Sequence, residues 1–585
     1  MDLVFVLYNS SKWIDRCLQA LLQLEGSRDE LSLIFVDNGS TDDSVDRLMG
    51  YKEKALGAGF RNYLVHEGKE NVGFGNANNV GARLGQSPYI LFLNMDTEIY
   101  PDAVNVLTKE IGSSPPSIAA WELRQFPYEH PKVYDPLTGE TDWTSGAAFL
   151  VRRDVFEQVQ GFDKHIFMYA EDVDLSWRIR LQGYKIRYVP KACIIHHSYE
   201  GTTVKPNQYI NSLLNNLLLR YKFGNAKHIL FGNLKYLYAI RSCKDSRIRR
   251  SLILNYLKVF YRVWPFLSFR LFHSKRNKEF RPVFHNWDYS LSREGAFYTA
   301  SRAISTSTVS ILIRTCNRPH LLREALTSVR NQTYSNLDVV VMEDGPPVSW
   351  EMIQNEFHDM SIQYYATGDK VGRSHAANLA LDKAKGKYIT FLDDDDLLYA
   401  DHIETLLNEI EEGHHSVVYT NAFEVPTAFN GEQKVEKGYS IIYNQPFNRV
   451  KLFYQNYLPI QAVMVRKDEL EGIRFDPHLD VLEDWDFWIQ VALRAPFHYV
   501  KKTTSLYRVP ADRTLYRSRQ VGLEAALKAV RIKQEGYVLS ISAREISENV
   551  EELLSLTRFA RLKRKLPHLY RIYHKVKNGG LFRNG

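Results

Sequence analysis

Tyr388-Ile389-Thr390-Phe391-Leu392-Asp393-Asp394-Asp395-Asp396 and its counterpart 299 residues earlier, Tyr89-Ile90-Leu91-Phe92-Leu93-Asn94-Met95-Asp96, decide how this chain is read. Each is a short apolar run with the aromatic and β-branched content of a buried strand, and each empties into an acidic loop. Side-chain oxygens gathered on one side of such a loop suit a hard divalent cation bridging a diphosphate. A single acidic turn is commonly just solvated, so the weight rests on what accompanies it. Tyr8-Asn9-Ser10 answers to Cys316-Asn317-Arg318, and Ile34-Phe35-Val36-Asp37-Asn38-Gly39-Ser40 to Val341-Met342-Glu343-Asp344-Gly345. Further on, Glu171-Asp172-Val173-Asp174 answers to Glu483-Asp484-Trp485-Asp486. Matching positions lie 308 (Asn9 to Asn317), 306 (Asp37 to Glu343) and 312 (Asp172 to Asp484) residues apart. That order is too regular for coincidence and the period too long for stacked repeats. The sequence predicts two similar catalytic domains in one polypeptide.

Around both acidic loops strand-like and helix-like segments alternate, the pattern of an α/β domain with helices on both faces of a mostly parallel sheet. Strands are expected over 3–7, 31–36 and 89–93, with helices over 11–24 and 76–84. The second copy repeats them as strands over 309–313, 337–342 and 388–392 and helices over 320–329 and 374–385. In open sheets of this kind ligands sit beyond the carboxyl ends of the strands, where Asp37 and Asp96 both fall. The expected division is a first domain over 1–205, a helical connecting region over 206–300 ahead of a polar linker over 301–308, a second domain over 301–520, and basic helices over 521–585.

A chain of 585 residues exceeds what one hydrophobic core sustains, in keeping with two domains. No run of about 18 uncharged apolar residues occurs, so no membrane-spanning helix is expected; the richest stretch, 252–272, is broken by Lys258, Arg262 and Arg270. The N-terminus enters a strand at once, without the features of a signal peptide. Cys17, Cys193, Cys243 and Cys316 lie far apart with no CxxC spacing, which argues against a zinc site or a disulfide framework and fits a reducing cytosol. The net charge of +7 is unevenly placed: Arg558, Arg561, Lys563, Arg564, Lys565, Arg571, Lys575, Lys577 and Arg583 crowd the C-terminus without an acid among them, and a second basic, aromatic segment spans 241–281. Such stretches resemble helices that lie on an anionic membrane surface, here the cytoplasmic face of an inner membrane, and suit equally a solvated face or a partner contact. No nucleic-acid recognition module accompanies them, so nucleic acid is not an expected partner.

The acid pairs Glu171-Asp172 and Glu483-Asp484 stand amid apolar residues at a helix start, where the helix dipole favours carboxylates. An acid so placed can take a proton from an incoming hydroxyl. With these pairs the string is complete: YNS, VDNGSTD, NVGFGNANNVGARLG, FLNMDTEIYPD, GAAFLVRRDVF, GFDKHIFMYAEDVDLSWR and GYKIRYVPKACIIHH. It resembles the family 2 inverting glycosyltransferases over residues 3 to about 200, most closely the bacterial rhamnosyltransferase-like members. Residues 309 to about 508 resemble the broader family through IRTCNRP, VVVMEDGP, VGRSHAANLALDKAKGKYITFLDDDD and VLEDWDFW.

The resemblance implies two GT-A domains, Rossmann-like with a mixed, mostly parallel sheet, and single-displacement transfer from a nucleoside-diphosphate sugar, a UDP- or dTDP-sugar. It implies that Asp37, and Glu343 or Asp344, contact the nucleotide base, and that Asn71, Gly73 and Asn79, with Gly372, Arg373 and Asn378, line the nucleotide cleft. Asp96 and Asp395 would bind Mg²⁺ or Mn²⁺ with Asn94 and Asp393 nearby. Asp172 and Asp484 would be general bases, supported by Glu171 and Glu483. The acceptor would be a bacterial-type surface glycan or lipid-linked glycan, extended by both modules in turn; the rival reading makes one module a non-catalytic glycan-binding or scaffolding domain. A histidine downstream of the acid pair often completes the metal shell in this family, and His196 or His197 offers it in the first copy, His197 being preferred. The second copy has Tyr507-Arg508-Val509-Pro510 there, which implies a weaker cation site, one completed by water, or lost activity. Trp143-Thr144-Ser145-Gly146-Ala147-Ala148 is expected on the acceptor side of the first cleft. The glycines from Gly73 to Gly81 do not make a dinucleotide fingerprint, because the turn after the first strand is Tyr8-Asn9-Ser10.

Overall fold

The computed structural model describes residues 1–197, 206–273, 280–295, 298–303, 305–430, 433–436, 438–479, 481–511, 523, 526–547 and 549–550. The first module contains β1 (Asp2–Leu7), α1 (Ser11–Leu22), β2 (Ser32–Asp37), β3 (Asn62–Glu67), α2 (Phe74–Leu84), β4 (Tyr89–Asn94), β5 (Thr97–Ile99), β6 (Ile118–Phe126), β7 (Ala148–Arg152), α3 (Glu171–Leu181) and β8 (Lys185–His196). The sheet order is β3-β2-β1-β4-β7-β6-β8-β5. Its first four strands are parallel, β7 runs antiparallel between β4 and β6, and β5 closes the far edge antiparallel to β8.

Alternation along the strands builds two cores. Leu3, Phe5, Leu33 and Phe35 meet Ile14, Leu18 and Leu21 of α1 on one face. Val4, Ile34 and Phe92 meet Phe149, Phe156 and Phe162 on the other. Both faces are covered, so the C-terminal ends of the parallel strands carry the polar loops.

Four helices follow: α4 (Pro206–Phe223), α5 (Ala226–Ser242), α6 (Ser246–Arg262) and α7 (Trp264–His273). The sequence had implied helix as far as residue 300. The described residues from 280 to 303 instead form an irregular strap. Pro282, the left-handed Asn286 and Gly295 interrupt helical geometry there. The strap's Phe284 and Tyr289 pack on Trp177 of α3.

The second module repeats the first: β9 (Val309–Thr315), α8 (Pro319–Arg330), β10 (Leu337–Glu343), β11 (Ile362–Ala366), α9 (Arg373–Lys383), β12 (Tyr388–Asp393), β13 (Leu397–Leu398), β14 (Val417–Asn430), β15 (Val463–Arg466), α10 (Glu483–Arg494) and β16 (Phe497–Pro510). Its sheet order, β11-β10-β9-β12-β15-β14-β16-β13, matches the first strand for strand. The chain is therefore α/β, with two mixed, mostly parallel sheets. Residues 526–534 are helical, while the basic cluster from Arg558 to Arg583 lies outside the described residues.

A buried, charge-balanced network joins the modules. Arg124 pairs with Glu404, and Arg293 lies 3.2 Å from Glu129 and 3.0 Å from Asp401. Lys502 Nζ sits 2.7 Å from Asp401. Tyr134 and Tyr399 close the contact with ring centroids 5.0 Å apart.

Candidate active sites

In the first module β4 stops at Asn94 and the chain turns through Asp96 into β5. Thr97 Oγ1 fixes this turn by donating to Asn94 O at 2.7 Å. Antiparallel pairing sets Thr97 opposite His196, whose Nε2 lies 3.5 Å from Asp96 Oδ1. The other ring nitrogen of His196 is 2.9 Å from Gln125 Oε1, which sets the ring's orientation. Asn94 Oδ1 is buried with no hydrogen-bond partner. The acidic loop thus offers an orphaned amide oxygen at Asn94 and, two residues on, a carboxylate paired with an imidazole, donor types that fit Mn²⁺ or Mg²⁺. Burial opposes ionisation of Asp96, yet the hydrogen bond and charge of His196, with His197 beyond, hold its carboxyl below the ordinary range.

The expected His197 meets the acidic loop through its main chain, its N–H donating to Asp96 O at 2.9 Å. His197 Nε2 is 2.6 Å from Glu98 Oε1, and its ring stacks on Trp13. Successive residues at a strand end point to opposite sides, so one of two adjacent histidines can face the acidic loop, and that one is His196.

The acid pair opens α3 directly after Tyr169 and Ala170, both left-handed at φ 72° and 68°. Gly146 N donates to Asp172 Oδ2 at 2.7 Å and Val173 N to Asp172 Oδ1 at 2.8 Å. One residue along, Ala147 O accepts from Asn94 N at 3.0 Å. The segment 143–148, expected on the acceptor side, thereby ties the acidic loop to Asp172. Burial raises the Asp172 carboxyl against the pull of these N–H groups and of Lys132. Glu171 is pushed up to about 8 by burial and by the charge of Asp172.

In the second module Asp393, Asp395 and Asp396 bring one oxygen each within 4.8 Å of one another, and Asp396 Oδ2 is buried without a partner. These donors also fit a hard cation. Here, however, arginines enter the site. Arg314 reaches Asp393 Oδ1 at 2.6 Å and Glu483 Oε1 at 3.0 Å, and Arg318 pairs with Asp394 and lies 3.2 Å from Asp395. Where the first module has its histidine strand, Arg508 N donates to Asp396 Oδ1 at 2.9 Å and the Arg508 guanidinium turns to Glu324. Asn456 Nδ2 donates to Asp484 Oδ2 at 3.0 Å, the place Gly146 takes beside Asp172. Burial and the charge of Glu483 push Asp484 up to about 7.

The remaining expected residues divide by what their side chains already do. Asp37 accepts from Gly39 N and Ser40 N, and Asn71 accepts from Asn38 Nδ2 and Gly73 N, so these form the loop at the end of β2. Gly73 and Gly372 cap α2 and α9 at φ 90° and 96°. A Cβ on Gly73 would stand 2.4 Å from Phe167 O, which explains the glycine. Asn79 clamps the backbone of Phe162, and Asn378 that of Phe475, so both amides brace loops rather than stand open in a cleft. Glu343 is fully buried on Ser349 and Tyr364, while Asp344 receives Val371 N and Gly372 N. Arg373 is exposed, with Nη1 3.6 Å from Glu483.

Sequence reasoning missed Lys132, Arg314 and Asn456. Register could have found Arg314: it pairs with Asp393 as Val6 pairs with Asn94, so a cation replaces an apolar residue at one matched position.

Doubled sheets of this topology, each ending in an acidic loop beside an acid pair, are GT-A domains, the class that serves nucleotide-sugar transfer. Residues 2–174 and 310–471 match Glycosyl transferase family 2, and the chain belongs to that family: it is a glycosyltransferase with tandem modules. Residues 132–274 also match Glycosyl transferase family group 2. An uncharacterized glycosyltransferase of Rickettsia bellii is 23% identical over 554 residues, covering 88% of this chain and 70% of its own. The N-acetylglucosaminyl-diphospho-decaprenol L-rhamnosyltransferase of Mycobacterium tuberculosis is 27% identical over 256 residues, 36% of this chain and 80% of that protein. Among solved structures, S. aureus TarS 1–349 aligns with 18% identity and a TM-score of 0.33 over 44% of this chain and 75% of that one.

Proposed function

We propose that each module transfers one sugar from a nucleoside-diphosphate donor to a hydroxyl of a growing, lipid-linked bacterial glycan, the product of one module serving the other. The carrying observation is that in both modules the acidic loop and the acid pair are held together: through Asn94 N, Ala147 and Gly146 N to Asp172 in the first, through Arg314 in the second. Asn94, Asp96 and His196 in the first module, and Asp393, Asp395 and Asp396 in the second, would hold a Mg²⁺ or Mn²⁺, which would supply positive charge toward a leaving diphosphate. Asp172 or Asp484 takes the proton of the acceptor hydroxyl as that oxygen attacks the anomeric carbon from the side opposite the diphosphate, which inverts the centre. Gly146 N–H and Asn456 Nδ2 hold the two bases in rotamer. Raised carboxyl pKa values favour proton acceptance near neutrality.

Similarity over 36% of the chain to an N-acetylglucosaminyl-diphospho-decaprenol L-rhamnosyltransferase, with the rhamnosyltransferase-like motifs of the first module, favours a dTDP-deoxyhexose donor and a polyprenyl-linked acceptor for that module. A cytoplasmic supply of such donors would favour a cytoplasmic enzyme. Tethering the modules keeps the intermediate at high local concentration. Asp172→Asn and Asp484→Asn test the division of labour: with the unextended and the singly extended acceptor each supplied, each variant is expected to lose a different linkage. Loss of both linkages in either variant so supplied, or of neither, refutes it.

A further inference from the structure

We propose that α5, α6 and α7 form a platform that docks on an anionic lipid surface. All three pack on α4, and α6 touches both neighbours, so their outer faces make one layer. Their inner faces supply Tyr236, Leu252, Val259 and Phe266 to a core shared with Trp177 of α3. The outer faces are apolar as well. Leu230 and Leu234 of α5, and Leu257 and Phe260 of α6, stand at helical spacing on their own helices, and Phe260, Trp264 and Phe272 stand 74%, 67% and 78% exposed. Scattered exposed apolar residues need no explanation; a contiguous layer of them rimmed by charge marks a contact surface.

Charge selects the occupant. Residues 226–273 hold ten Lys and Arg against one acid, Asp245. Lys227, Arg241, Arg250 and Lys258 are exposed on the same helices. A second copy would bring the same positive face and be repelled. A soluble polyanion would neutralise the cations and leave Phe260 and Phe272 in water. A bilayer with acidic headgroups satisfies both, taking the aromatic and leucine side chains into the acyl boundary while the cations remain among phosphates. No described helix is long and apolar enough to cross a membrane, so the contact lies in the plane of the interface.

The platform is fastened to the first active site. Lys222 of α4 donates to Asp174 at 2.5 Å and Asp163 at 2.6 Å, and Asn215 Nδ2 donates to the carbonyls of Met168 and Tyr169 at 2.8 Å. Those carbonyls lie three and two residues before Glu171, so docking would bring the acceptor side of the first module to the lipid surface. The docking proposal stands on the surface itself and holds or fails independently of the sugar transferred.

The test is co-sedimentation of the full chain with vesicles of phosphatidylcholine, alone or with phosphatidylglycerol added. Binding is expected to the mixed vesicles and to fall with salt. Leu257→Ser with Phe260→Ser and Phe272→Ser should weaken it at least about tenfold, with the far-ultraviolet dichroism and donor hydrolysis of the full chain unchanged. Arg250→Gln with Lys258→Gln, which alters no apolar packing, should weaken it and flatten its salt dependence. Unchanged binding by the triple-serine variant would assign attachment to the basic C-terminus instead and overturn the proposal. So would binding to neither vesicle, or sedimentation without vesicles, which would make the face a contact between copies.

Discussion

Arg314→Gln separates the two modules' electrostatics most sharply. Its guanidinium lies within 2.6 Å of Asp393 and 3.0 Å of Glu483 and is 8% exposed. Removing one partner of a buried ion pair while leaving the other typically costs about 3–5 kcal/mol, and here two carboxylates are left. They can recover part of that by taking up protons. Asp484, already at about 7, has Arg314 among the charges that hold it down, so its pKa must rise further in the variant. Each unit below the pKa cuts the ionised, base-competent fraction about tenfold. The activity deficit should therefore be largest on the acid side and shrink as pH rises. Stability has the opposite sign. A carboxyl with a raised folded-state pKa contributes stability that is complete below its unfolded value, about 4, and is lost as pH rises through the folded one, about 7 in wild type. The variant's stability deficit should grow with pH while its activity deficit shrinks. The measurements are nucleoside diphosphate release against pH in an Asp172→Asn background, and urea unfolding across the same range. A wild-type midpoint with a pH-independent loss of rate would refute the reasoning. The first module has Val6 where the second has Arg314, and its Glu171 is pushed up to about 8, the behaviour expected without that cation.

Wild-type second-module activity, measured with Asp172→Asn, should climb with pH through about 7, because Asp484 must be ionised to act; a flat profile across that range excludes it as the base. His196→Ala should weaken Mn²⁺ binding to the first module and His197→Ala should leave it near wild type, read by manganese electron paramagnetic resonance in an Asp395→Asn background; the reverse order would restore His197. Arg293→Met leaves Glu129 and Asp401 short of a cation between the modules and should cost about 3–5 kcal/mol in global unfolding. Gly73→Ala forces a Cβ to 2.4 Å from Phe167 O at φ 90° and should cost about 1–3 kcal/mol with loss of first-module turnover.

The strands, the doubling and the acidic motifs were legible because they rest on short-range signals. Apolar runs of about six residues mark buried parallel strands, and the acids follow where those strands must end. The expected strand over 388–392 and the observed β12 differ by one residue. What was illegible depends on geometry across the sheet. Arg314 reads locally as a charge within an otherwise apolar strand, and its meaning appears only when register sets it beside Asp393. Asn79 and Asn378 look like cleft residues by position, yet their amides each match one backbone N–H and one carbonyl across the fold. The strap from 280 follows a run of helices and reads as their continuation, yet Pro282, the left-handed Asn286 and Gly295 break the helix and Phe284 and Tyr289 pack it on Trp177.

The adjacent histidines show the limit most clearly. Family resemblance offers His196 or His197 with a preference for His197, and either could follow a strand that approaches an acidic loop. The pairing of β5 with β8 sets Thr97 against His196, whose ring meets Asp96, and leaves the His197 ring to Glu98 and Trp13. A shift of one residue in that register would exchange their roles. Since β5 is three residues long, its register depends on the turn that Thr97 Oγ1 closes on Asn94 O. Thr97→Val removes that hydrogen bond while keeping the β-branched shape, and should lower Mn²⁺ affinity in the first module without touching a donor atom. Unchanged affinity in Thr97→Val would show that the pairing of β8 with β6, rather than the turn, selects the histidine.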